Sequence, residues 1–142
     1  MRALALLTLV VASLASAPAR ADEGVAGSYD VKIEETASTC DPKPESLGKT
    51  TKVQLSVAKT ELTVKFATMY KMTGPATKDG KINAKTTKLI GTSMAGLSAR
   101  YSVVGHETGD ALDLVLTAQY IRQDTNKPHC MQAWNVSGTR AK

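Results

Sequence analysis

Apolar side chains recur at every second position along most of this chain, which is the period of a half-buried strand. Tyr29, Val31 and Ile33 alternate with Ser28, Asp30, Lys32 and Glu34. Val53, Leu55 and Val57 alternate with Lys52, Gln54 and Ser56, and Leu62, Val64 and Phe66 follow after the short connection Ala58-Lys59-Thr60-Glu61, a hairpin by length and pattern. The turn Asp79-Gly80 opens residues 81–86, where Ile82 and Ala84 share a face. Leu97, Ala99, Tyr101 and Val103 mark another strand, residues 105–110 read as the next turn, and Leu112, Leu114, Leu116, Ala118 and Tyr120 give the clearest alternation. Cys130, Trp134 and Val136 set the phase of the last strand. No window of helical length shows a 3.6-residue period.

Several short strands at close spacing, separated by Gly, Asn and Asp turns, predict an all-β sandwich or barrel. The two cysteines, Cys40 and Cys130, sharpen this expectation. An even count in an oxidising compartment pairs, and a bridge brings the end of the first strand within about 7 Å of the start of the last. In an up-and-down meander the first and last strands are antiparallel neighbours only when the strand number is even, yet the pattern gives seven. Residues 88–92, with Leu89 and Ile90, and residues 68–73 are the candidates for an eighth. The expected fold is an antiparallel meander closing into a small barrel of about eight strands, with a β-sandwich as the alternative.

The N-terminal residues set the compartment. Arg2 supplies a positive start, residues 4–14 form an apolar run, and small residues follow up to Ala19-Arg20-Ala21, the order of a cleaved secretory leader. Such a run, about eleven residues long, falls short of the roughly twenty needed to span a bilayer as a helix. The expectation is a leader at residues 1–21, a single barrel domain at 22–142, and export to the periplasm or the exterior. Without Arg2 and Arg20, the 18 basic residues become 16 against 13 acidic ones, so the net charge falls from +5 to +3. That mild, evenly spread charge does not call for nucleic acid, and the aromatics fall in the apolar phase of their strands, Tyr70 excepted.

Chemistry-bearing patterns are sparse. His106, Glu107 and Asp110 match no standard metal-ligand spacing, and Met69, Met72, Met94, Met131 and His129 are soft ligands that also serve as gap-filling side chains. There is no nucleophile elbow, phosphate loop or zinc-protease signature, so neither catalysis nor a cofactor is expected, and a hydrolase is a third-ranked class. Asn135-Val136-Ser137 spells a glycosylation sequon within a strand.

Gly27-Ser28-Tyr29 resembles the G-x-W opening of lipocalin-like barrels, with tyrosine in place of tryptophan. The resemblance implies a barrel that carries a small apolar ligand, with Arg140 packed over Tyr29 to close the opposite end. A ligand cavity would then be lined by Val31, Leu55, Val64, Leu114 and Leu116. Ser93, Gly96, Ser98, Ala99, Arg100 and Tyr101 resemble the serine loop and strand of bacterial inhibitors of c-type lysozyme, although the downstream lysine of that pattern is missing. That resemblance implies an inhibitor of a secreted hydrolase, inserting Ser93 or Ser98. Met69, Met72, Leu89, Ile90, Ser93 and Met94 lie in predicted connections and offer contact loops, because apolar side chains in exposed loops often mark an interface. The expected partner is therefore a small apolar molecule or an exported protein.

Overall fold

The two-residue alternation becomes strands where apolar side chains, leucine and alanine as well as β-branched and aromatic ones, occupy one face. A computed structural model describes residues 24–67 and 69–142, and the leader predicted at 1–21 lies outside them. The described residues form nine strands: β1 (Gly27–Ser38), β2 (Thr50–Ala58), β3 (Glu61–Phe66), β4 (Met72–Pro75), β5 (Lys81–Lys85), β6 (Ile90–Gly91), β7 (Leu97–Thr108), β8 (Ala111–Arg122) and β9 (Pro128–Arg140). All pairings are antiparallel, and no helix occurs among the described residues.

Neighbouring strands pair in the order β5-β4-β3-β2-β1-β9-β8-β7-β6, and β5 also pairs with β7. The ladders therefore run in a ring through eight strands, with β6 attached only to β7. The weakest seam is β4–β5, joined by the single pair Thr73 and Lys85. Of the two segments proposed for the missing strand, residues 72–73 fall in β4 and residues 90–91 form β6, and only β4 enters the ring. It supplies the even count that lets β1 and β9 lie side by side. Cys40 and Cys130 are bonded there, with Cα atoms 5.1 Å apart.

Gly105 belongs to β7 rather than to a turn, so the predicted turn at 105–110 shrinks to Gly109 and Asp110. The reason is steric. A Cβ at Gly105 would collide with the Asp113 carbonyl on β8, so this glycine permits close strand approach. The β2–β3 connection is a two-residue turn at Lys59-Thr60, with Lys59 at φ 58°.

The inward face of the ring is one continuous core. Its largest fully buried side chains include Tyr29, Phe66, Leu62, Met72, Leu112 and Tyr120, and Trp134 is 2% exposed. Burying an aromatic or aliphatic side chain of this kind contributes roughly 1.5–3 kcal/mol, so this face supplies most of the driving force. Five of the six aromatics point inward, and Tyr70 is 58% exposed.

Candidate functional site

The two ends of the ring are built differently. At one end, Arg140 near the C-terminus lies over the Tyr29 ring, 5.0 Å from its centroid. The Tyr29 hydroxyl donates to the Val25 carbonyl at 2.8 Å, and the Arg140 guanidinium donates to the carbonyls of Ala26 and Gly24. Glu107 and Asp110 pair with the same guanidinium at 3.7 and 3.2 Å. Gly27, at φ +146°, leaves room for that group, because a Cβ would occupy its place. Thus Glu107 and Asp110 are committed to Arg140, and this end is plugged. Among the described residues, no three His, Cys, Asp or Glu side chains gather as a metal site.

The other end is crossed by residues 39–49, a strap that leaves β1 and returns as β2. Cys40 anchors its start to β9. Its middle is fastened by Gln132, a fully buried glutamine whose side chain uses all four of its hydrogen-bonding positions. The amide oxygen accepts from Tyr120 Oη at 2.7 Å and from the Glu45 backbone N–H at 3.2 Å. The amide nitrogen donates to Glu35 Oε2 and to the Glu45 carbonyl, both at 3.2 Å. Lys43 pairs with Glu35, and the Tyr101 hydroxyl donates to Glu45 Oε1 at 2.9 Å. Burial raises the phenol pKa of both Tyr101 and Tyr120; the Glu45 hydrogen bond adds to the first, and the charges of Glu45 and Glu35 add to the second. Both hydroxyls therefore keep their protons at neutral pH and donate them in hydrogen bonds. Together they hold the strap.

Two open recesses flank this strap and share Ser46 and Leu47. The larger, about 590 Å³, lies between β1 and the returning strap, with Ile33, Leu47 and Trp134 among its walls. The second, about 400 Å³, is bounded by Glu45, Leu47, Met69, Tyr70 and Tyr101.

The sequence-derived contact residues fall mostly at this mouth. Leu89 is 41% exposed, while Met69, Ile90 and Met94 are partly buried against the core. Met72 is fully buried on β4 and presents nothing to a partner, because it occupies an inward position of the strand that completes the ring. Ser93 is exposed but donates to the Pro44 carbonyl at 3.2 Å, and Ser98 accepts from Gln123 Nε2 at 3.1 Å. The serines expected to enter a hydrolase cleft are thus engaged within the chain. Val31, Leu55, Val64, Leu114 and Leu116 are buried in the core beside Tyr29, Phe66 and Tyr120.

Glu35, Lys43, Glu45, Tyr101, Tyr120 and Gln132 were not grouped by sequence reasoning. One signal was present: Gln132 occupies the inward phase shared by Cys130, Trp134 and Val136, where a polar side chain must find partners. Comparisons with known protein families, with curated proteins and with solved structures find no match for this chain.

Proposed function

We propose that this chain is an exported, non-catalytic, lipocalin-like barrel protein that works by binding, and that the strap-crossed mouth is its binding face. The observation that carries this reading is the contrast between the two ends. Arg140 and Tyr29 close one end with committed hydrogen bonds, whereas the other holds open recesses of about 590 and 400 Å³ whose walls mix polar groups with Ile33, Leu47, Met69 and Trp134. Binding recesses are concave and largely apolar, with a few placed polar groups. Large aromatic side chains occupy the core, so the mouth rather than the deep interior offers space for a small apolar molecule or a projecting side chain of an exported partner. The Cys40–Cys130 bond supports export, since such bonds persist in oxidising compartments.

Native mass spectrometry of protein purified gently from its host's exported fraction tests this reading, with Trp134, the single tryptophan, as a second reporter. A retained molecule or partner whose removal shifts Trp134 emission is the expected result. An unliganded mass, with no change in emission when the exported fraction is added back, contradicts it.

A further inference from the structure

Among the described acidic residues, Glu45 and Glu107 are of intermediate exposure, and Glu35, exposed as a residue, has a side chain that is 28% exposed. Glu107 has Arg140 as its cation, and the exposed Glu35 nearby has Lys43. Glu45 has none: no described lysine or arginine pairs with it. Its side chain is held by a neutral phenol, Tyr101, and its backbone is clamped on both sides by Gln132. A carboxylate drawn partly out of water without a counter-charge is costly, and a cation delivered from outside offsets that cost.

The surroundings of Glu45 specify the kind of cation. The recess of about 400 Å³ that it borders also presents the exposed Tyr70, with Met69 and Leu47 alongside. An aromatic ring favours a cation over its face, and methionine and leucine favour an apolar body. We infer that the Glu45 recess binds an organic cation, an amine or guanidinium carried on an apolar group. The carboxylate meets the charge, while Tyr70, Met69 and Leu47 meet the body. This rests on reading the mouth as the binding face and deepens it by naming the ligand chemistry.

The test is an amide NMR titration of the disulfide-bonded chain at low ionic strength with benzylamine, benzyltrimethylammonium, N-acetylarginine methylamide, benzyl alcohol and benzoate. The cations are expected to bind at least about 10-fold more tightly than the alcohol or benzoate, shifting amides at residues 45–48, 69–70 and 91. Glu45→Gln keeps an acceptor for Tyr101 and is expected to reduce the preference for cations several-fold, leaving what Tyr70 supplies. Tyr70→Ala alters an exposed side chain, so the fold should persist, and it is expected to weaken every cation several-fold. Tighter binding of benzylamine assigns a free amine, tighter binding of the arginine amide assigns a partner's side chain, and both support the inference. Equal affinity for alcohol and cation, binding of no probe, or an undiminished preference in well-folded Glu45→Gln overturns it. A host ligand retained without any cation preference would sink this chemistry alone; cation binding without a host ligand would sink only the broader reading.

Discussion

Arg140 stacks on Tyr29 at 5.0 Å while its guanidinium reaches the carbonyls of Gly24 and Ala26, tying the last strand to the segment before the first. Glu107, whose side chain is 10% exposed, depends on the same group. Arg140→Ala therefore removes a ring contact and strands a nearly buried carboxylate. The expected loss is about 2–3 kcal/mol, read as a lower urea midpoint with an unchanged slope. Arg140→Lys should recover less than half, because an ammonium cannot reproduce the planar fork. An unchanged midpoint for Arg140→Ala would show that this end needs no plug.

The Cys40–Cys130 bond spans 90 residues of sequence and anchors the strap. In the chain-entropy account, its removal costs about 4–5 kcal/mol. Cys40→Ala with Cys130→Ala is expected to lower stability by that order and to move Trp134 emission toward longer wavelength as the strap loosens beside it. Emission identical to that of the oxidised chain would show that Gln132 and Tyr101 hold the strap unaided.

Gln132→Leu keeps the approximate volume of the side chain but leaves Tyr120 Oη and the Glu45 N–H and carbonyl without their partner. Unsatisfied buried groups of this kind cost about 1–3 kcal/mol each when nothing relaxes, so a total loss of roughly 2–4 kcal/mol is expected. Thermal unfolding measures it, and a variant within about 0.5 kcal/mol of the parent would mean that water replaces the amide.

Alternation identified the strands because one face of each is buried: Tyr29 and Val31, Leu62, Val64 and Phe66, and Leu112, Leu114, Leu116, Ala118 and Tyr120 all point inward. It failed at β4, whose four residues include Gly74 and Pro75, and at the two-residue β6, since neither is long enough to display a period. The turn at 105–110 was misread because glycine serves close strand approach as readily as reversal. The strap cluster was illegible for a different reason. Glu45 lies 87 residues from Gln132 and 56 from Tyr101, in a segment whose Pro42, Pro44 and Gly48 read only as a loop. Its partners are fixed by ring closure and the disulfide, which no local pattern encodes.

The buried phenols give the fold an alkaline limit. Burial raises the pKa of Tyr101 and Tyr120 in the folded chain, while the unfolded chain releases those protons near 10. Stability from the neutral phenols is therefore intact below pH 10 and is lost as pH rises beyond it. The expected slope is about 1.4 kcal/mol per pH unit for each tyrosine. Urea unfolding at pH 9, 10 and 11 should show the decline beginning near 10, and Tyr101→Phe should make it shallower. A curve that is flat across this range would contradict the burial of both hydroxyls.

Amide spectra of the isotope-labelled, disulfide-bonded chain, recorded while the host's exported fraction is added, test the assignment of binding to the strap-crossed mouth most directly. Shifts confined to residues 32–35, 45–50, 69–70 and 89–94 are the predicted result. Shifts centred on Tyr29 and Arg140, shifts on the outward face of β7 and β8, where the paired Val104 and Val115 are exposed, or no shifts at all would contradict it.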